Sequence, residues 1–208
     1  MWIKICGITR LEDAQAASTF GADAVGFVFA DSPRRVTPEE ARSISLGMPE
    51  GTARVGVFVD APLLEVRETA LYCGLDMVQL HGSESPEYCR ALGDMVIKAV
   101  RVRDGMDVLR SRVYGGTRLL FDCHDPERAG GTGRSVDWKL LHLIDSRAQV
   151  IIAGGLRPPK VAEAVRLARP FGVDVSSGVE SGPGRKDPVL MYEFIEKARK
   201  ADFEVSRC

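Results

Sequence analysis

Short apolar runs rich in Val and Ile recur along the whole chain, and segments with helical period lie between them. The runs predict strands over Trp2–Cys6, Ala24–Phe29, Arg54–Val59, Met77–Leu80, Val96–Val100, Arg118–Asp122, Val150–Ala153 and Val173–Ser176. The segments between them open on helix-start chemistry. Leu11-Glu12-Asp13-Ala14 begins the first. Thr37-Pro38-Glu39-Glu40 begins the second, with Thr as N-cap, Pro at the first helical position and Glu three residues past the cap, the arrangement of a capping box. Ser85-Pro86-Glu87, Pro158-Pro159-Lys160-Val161 and Asp187-Pro188 start three more, with Ser85 as the expected cap of the first of these.

Eight strands alternating with helices predict parallel βα units of about 26 residues each. An internal echo supports the repetition: Gly21-Ala22-Asp23-Ala24-Val25, Gly74-Leu75-Asp76-Met77-Val78 and, one residue shorter, Gly172-Val173-Asp174-Val175 each place Gly ahead of an Asp and a strand. No Ser/Gly-rich linker, low-complexity tract or charge run divides the chain, so one domain is expected over 1–208. Alternation alone fits both a closed barrel and an open doubly wound sheet. A closed (βα)8 TIM barrel makes the sharper statement, because its site lies on the loops at the C-terminal ends of the strands. Unusual residues gather at that end: Cys6-Gly7, Ser32-Pro33-Arg34-Arg35, His81-Gly82, Asp122, Gly154-Gly155 and Ser176-Ser177-Gly178. Six coincidences at one rim favour the single-domain (βα)8 barrel.

Composition narrows the function classes. Of 208 residues, 45% are hydrophobic and 27% charged, and 28 Lys plus Arg against 29 Asp plus Glu leave a net charge of −1. Such a balance supplies no global pull toward nucleic acid or an anionic membrane. No apolar run reaches the roughly 18 residues of a membrane span. The start, Met1 to Gly7, reads as a first strand rather than an export signal, so a cytoplasmic protein is expected. Cys6, Cys73, Cys89, Cys123 and Cys208 are odd in number and widely spaced, which predicts free thiols. His81, His124 and His142 are scattered, without metal-ligand spacing, and no metal site is expected.

Two kinds of chemistry are readable at the rim. Gly130-Gly131-Thr132-Gly133, Gly154-Gly155 and Ser177-Gly178 can turn backbone N–H groups toward an anion, and barrels commonly hold phosphate with the loops after strands 7 and 8. Val179-Glu180-Ser181 is expected to begin a short helix there. The phosphate candidates are therefore Gly131, Gly133, Gly154, Gly155, Ser177 and Gly178. Side chains alternate along a strand. With Ile3 and Ile5 facing the helices, Lys4 and Cys6 face the axis; with Leu119 and Phe121 outward, Leu120 and Asp122 face inward. Cys6 and Asp122 then flank the mouth, where a thiol and a carboxyl can divide proton removal and proton donation. Cys6 serves as base only if its pKa is depressed, for which Lys4 is the nearby cation. On residue chemistry alone Cys6 also fits an inert core thiol, and Asp122 a strand-end turn former.

Lys4-Ile5-Cys6-Gly7-Ile8-Thr9 resembles the opening signature of the phosphoribosylanthranilate isomerase family, a (βα)8 family of tryptophan biosynthesis. The resemblance continues through Gly21 to Phe27, Ser32-Pro33-Arg34, Val55 to Val59, Val78-Gln79-Leu80-His81-Gly82 and Gly130 to Gly133. It closes with Ala153-Gly154-Gly155-Leu156, Val173 to Glu180 and Gly184-Arg185-Lys186-Asp187. It implies an Amadori rearrangement of N-(5-phosphoribosyl)anthranilate to the 1-deoxyribulose 5-phosphate product. Cys6 falls on the family's general base and Asp122 on its general acid. A strand-2-loop arginine contacts the anthranilate carboxylate in the family; here spacing to Thr37-Pro38 favours Arg35 over Arg34. The resemblance also implies His81 and Asp174 as substrate-binding residues, no metal or organic cofactor, a small phosphosugar as the only partner, and a monomer or homodimer. The histidine-pathway isomerase resembles a rival reading, but its strand-1 base is Asp where this chain has Cys6. Indole-glycerol-phosphate synthase would need a rim lysine, for which Lys98 is the candidate.

Overall fold

In a computed structural model, which describes residues 1–122 and 149–207, eight parallel strands close into a barrel in the order β1 to β8, with β8 pairing back onto β1. The strands are β1 (Trp2–Cys6), β2 (Ala24–Val28), β3 (Ala53–Phe58), β4 (Met77–Leu80), β5 (Val96–Arg101), β6 (Arg118–Asp122), β7 (Val150–Ala153) and β8 (Gly172–Val175). Helices α1 (Leu11–Thr19), α2 (Pro38–Gly47), α3 (Leu63–Cys73), α4 (Pro86–Leu92), α5 (Gly105–Arg110), α6 (Pro158–Ala168) and α7 (Pro188–Val205) alternate with them. Strand positions match the sequence expectation to within one residue at either end. No helix among the described residues is long and apolar enough to cross a membrane. Gly131 and Gly133, with Cys123, His124 and His142, lie outside the described residues, as does Cys208.

Two apolar layers explain the strand pattern. Ala24, Val55, Ile97, Ala99, Leu120, Ile151 and Ala153 pack together inside the barrel. The alternate positions, among them Ile3, Ile5, Val25, Phe27, Val78, Leu80, Phe121, Ile152 and Val173, pack outward with helix residues such as Ala14, Val66, Val161 and Phe194. Strands buried on both faces read as nearly continuous apolar runs, as parallel sheets do. Polar residues on the inner face, among them Lys4, Gln79, Asp122 and Asp174, are therefore exceptions to be accounted for.

The helix starts follow their local chemistry. Thr37 accepts from the Glu40 backbone N–H while Glu40 accepts from that of Thr37, the reciprocal capping box. Ser85 caps α4 and Asp187 caps α7. The internal echo has a structural basis in two of its three copies. After α1 and α3, Gly21 and Gly74 take positive φ values of 89° and 64°. The Asp two residues on then accepts the backbone N–H of a neighbouring strand: Asp23 from Ile3 at 2.7 Å and Asp76 from Arg54 at 2.8 Å. The third copy differs, because Gly172 and Asp174 lie within β8 and Asp174 faces the barrel interior.

One element departs from expectation. Val179-Glu180-Ser181 does not begin a helix. A single 3-10 turn over Ser177–Val179 ends at Glu180, which is extended and opens β9 (Glu180–Gly182), paired antiparallel with β10 (Arg185–Lys186). Pro183-Gly184 makes the turn, with Gly184 at φ 72°. Pro fixes φ and Gly supplies the left-handed position, a combination that reverses the chain and does not propagate a helix.

Candidate active site

The rim at the C-terminal ends of the strands carries three polar clusters. The first surrounds Cys6. Lys4 and Asp174 are register partners on β1 and β8, and Lys4 Nζ donates to Asp174 Oδ1 at 2.7 Å with both side chains buried. Cys6, two residues further along β1, sits beside Gly26 of β2; a Cβ on Gly26 would lie 2.8 Å from Cys6 Sγ and 3.1 Å from Lys4 Cε. The bare glycine thus makes room for thiol and ammonium together. Burial pushes the Cys6 thiol up from its ordinary value; Lys4 opposes this, Asp174 adds to it, and the net shift is upward. Lys4 therefore moderates the thiol without bringing it below the free value that the sequence reading required. For Lys4 itself, burial disfavours the charge, but Asp174 and Cys6 outweigh it and hold the ammonium's pKa above normal. Asp174, expected at the substrate, faces the interior and spends Oδ1 on Lys4.

The second cluster separates the two arginines. Arg34, not Arg35, enters the mouth. Its Nε and Nη2 fork onto Glu180 Oε1 and Oε2 at 2.8 and 2.7 Å. Arg35 is exposed and bonds through its backbone N–H to Ser32 O. Because Val36 N–H bonds to Val28 O, the loop resumes strand-like contact just past Arg35, which fixes which of the two adjacent side chains turns inward. Spacing to the capping box could not resolve this one-residue difference. The stem of Arg34 crosses Gly7, where a Cβ would lie 2.6 Å from Arg34 Cδ. Gly7 also has φ 74°, so the residue after Cys6 is required to be small on both counts. Glu180 accepts in addition from the buried Lys186 Nζ at 2.8 Å. Neither Glu180 nor Lys186 was assigned from sequence, although both fall inside motifs that carry the family resemblance.

The third cluster holds Asp122. His81 Nε2 lies 3.2 Å from Asp122 Oδ2, and Gln79 Nε2 donates to His81 Nδ1 at 2.8 Å. With Nδ1 as acceptor, the neutral ring carries its proton on Nε2 and directs it at Asp122. Gln79 is buried and its Oε1 has no hydrogen-bond partner among the described residues, so the hydrogen bonding seen for this side chain goes to orienting His81. The inward alternation of β4 that carries His81 to the mouth also marks Gln79, a signal available from the strand alone. Beneath the β4 loop, Lys98 Nζ is fully engaged by Leu80 O, Gly82 O and Glu84 Oε2 at 3.1, 2.7 and 2.9 Å. It braces the loop that carries His81 and is not a free rim amine.

The loops after β7 and β8 meet at Gly178, where a Cβ would stand 1.8 Å from Leu156 O. Gly154 and Gly155 both take positive φ, 88° and 63°, and among the described residues no atom beyond the chain neighbours lies within 4 Å of a Cβ placed on Gly155. Ser177 is exposed beside them. Four of the six expected phosphate residues thus share one patch of rim; Gly131 and Gly133 lie outside the described residues.

Comparison with known proteins gives one consistent result. The family model described as N-(5'-phosphoribosyl)anthranilate (PRA) isomerase matches residues 3–197. An N-(5'-phosphoribosyl)anthranilate isomerase from Pelobacter propionicus is 46% identical over 206 residues, covering 99% of each chain. The phosphoribosyl anthranilate isomerase structure from Thermotoga maritima superposes with a TM-score of 0.90 at 45% identity, over 96% of this chain and 99% of that one. A phosphoribosyl anthranilate isomerase in complex with reduced 1-(o-carboxyphenylamino)-1-deoxyribulose 5-phosphate gives 0.87 at 42% identity, with the same coverage.

Proposed function

The chain belongs to the N-(5'-phosphoribosyl)anthranilate isomerase family, and from that premise we propose that it rearranges N-(5'-phosphoribosyl)anthranilate to 1-(2-carboxyphenylamino)-1-deoxyribulose 5-phosphate, in tryptophan biosynthesis, with Cys6 as base and Asp122 as acid. The observation that carries the assignment is their placement on one rim. Cys6 ends β1 and Asp122 ends β6, each on the inner face and each at the C-terminal end of its strand.

The reaction needs two proton movements on one sugar. Asp122 protonates the ribose ring oxygen as the C1–O bond breaks, and the anilino nitrogen lone pair forms the C1=N bond of the open-chain iminium. Cys6 then removes the C2 proton; the electrons of that bond form C1=C2, and the C1=N pair returns to nitrogen. The resulting enolamine tautomerises to the 2-ketone. His81 holds the Asp122 carboxyl toward the mouth and Lys4 offsets part of the cost of a buried thiolate. Arg34, in place of Arg35, receives the anthranilate carboxylate. The backbone N–H groups of Gly154-Gly155 and Ser177-Gly178 receive the phosphate, an anion suited to converging amide dipoles.

The test follows the fluorescence of phosphoribosylanthranilate as it is consumed. Asp122→Asn and Cys6→Ser should each lower kcat by at least about 10²-fold, the usual scale of general acid–base catalysis. Both should still bind the reduced product analogue, whose carboxylate and phosphate contacts lie elsewhere. Near-normal kcat in either folded variant would refute its role.

A further inference from the structure

Resting on the assignment of Arg34 to the substrate carboxylate, we infer that Glu180 is a positioning residue: it presents the guanidinium to that carboxylate, and the buried Lys186 holds Glu180 in turn. The geometry is a fork. Glu180 engages Nε and Nη2, one edge of the planar guanidinium, with both of its own oxygens. That leaves the Nη1 edge for a second carboxylate. A bidentate pair fixes the plane as well as the position of the group, which a single contact does not do.

Charge makes the same case. Glu180 and Lys186 have side-chain exposures of 5% and 0%, while Arg34 retains 22%. A buried carboxylate facing Arg34 alone would cancel its charge and compete with the substrate. Lys186 supplies the second cation, so the triad of Arg34, Glu180 and Lys186 carries a net +1 toward the mouth. Lys186 is itself anchored: Nζ donates to Ser176 O at 3.2 Å and its backbone N–H to Asp13 Oδ2 at 3.0 Å. Asp13 is forked by Arg10, and Thr9 Oγ1 donates to Gly184 O at 2.5 Å. The β9–β10 hairpin is thereby pinned to the start of α1, and through Glu180 it fixes an arginine borne on the β2 loop. Because Arg34 passes over Gly7, the carboxylate it receives docks on the Cys6 side of the mouth.

The test compares two ligands on each variant: reduced 1-(o-carboxyphenylamino)-1-deoxyribulose 5-phosphate and the same molecule without its carboxyl group. Their Kd ratio isolates the carboxylate contact. The unaltered protein should favour the carboxylated ligand by about 10- to 100-fold, the range of charge-assisted hydrogen bonds. Glu180→Gln should cut that ratio by about 10-fold and leave the decarboxylated ligand's Kd within about twofold, since the phosphate contacts are separate. Glu180→Asp keeps the charge that Lys186 requires but has a shorter reach, and should give an intermediate ratio in a protein of near-normal thermal midpoint. An undiminished or larger ratio in both variants overturns the proposal, since Glu180 would then be a bystander or a competitor for Arg34. A parallel loss of affinity for both ligands also overturns it, as a general structural effect. Arg34→Met separates the premise from the inference: an undiminished ratio there removes Arg34 from the carboxylate, whereas a lost ratio with Glu180→Gln unchanged removes only Glu180.

Discussion

At the scale of single residues, the tension lies in Cys6. A base needs access to its anionic form, and burial pushes this thiol the other way. The groups facing it are the cations Lys4, Lys186 and Arg34 and the carboxylate Asp174. Lys4 is the strongest of the influences that favour the thiolate. The rising limb of kcat/KM against pH reports the free-enzyme base, so it should lie on the alkaline side of an ordinary thiol. Lys4→Met should move it further alkaline for two reasons of the same sign. The ammonium that favours the thiolate is gone, and Asp174, no longer paired with it, stands unopposed beside the sulfur. At any pH below the limb the variant is then slower than the unaltered protein. A limb that stays put or moves acidic would show that Cys6 is not the group titrating.

At the scale of elements, the joined loops after β7 and β8 carry two glycines that are small for different reasons. Gly178 has no positive φ to satisfy, but a Cβ would press 1.8 Å from the Leu156 carbonyl oxygen, which is backbone and yields only if the loop moves. Gly155 has φ 63° and, among the described residues, open space around it. Gly178→Ala should therefore cost about 1–3 kcal/mol of overpacking, and it should raise KM by displacing the amides proposed for phosphate. Gly155→Ala should cost roughly 1–2 kcal/mol of left-handed strain with the loop left in place. Thermal midpoints and KM measured together decide it: the KM increase should be the larger for Gly178→Ala. Equal KM values in the two variants would break the link between loop contact and phosphate affinity.

At the scale of the molecule, β8 closes on β1 and α7 packs its buried Met191, Phe194, Ile195, Ala198 and Ala201 into the same outer layer that covers the barrel. Among the described residues no element has a private core outside the two apolar layers, so the chain should unfold as one cooperative domain. Phe194→Ala, at the last helix, should destabilise by about 3–5 kcal/mol. Denaturant midpoints followed by far-UV circular dichroism and by tryptophan fluorescence should fall together. Two separated transitions would show a divided chain.

Much of this protein is written locally. The alternation of apolar runs and capped helices placed the strands, because burial on both faces and N-cap chemistry act within a few residues of each other. The rim residues Cys6 and Asp122 were legible for the same reason: strand parity sets which way they face once the barrel is assumed, while His81 was legible from its place just past a strand end. Closure was not local, since both an open and a closed sheet satisfy the same pattern. Nor was the pairing of charges. Lys4 meets Asp174 and Arg34 meets Glu180 across more than 140 positions of chain, and Lys186 joins the same carboxylate from six residues away. Parity puts each of these side chains near the mouth but says nothing about which opposite charge it finds there. The choice between Arg34 and Arg35 turned on the Val36 N–H bond back to Val28 O, and the hairpin in place of a helix after β8 on the Pro183-Gly184 turn, backbone contacts that the spacing of helix-start residues does not encode. The sequence determined the elements and the inward facing of Cys6 and Asp122, because those depend on near neighbours. Tertiary structure decided how the charges around that pair are held, because long-range electrostatic partners exist only once the barrel has closed.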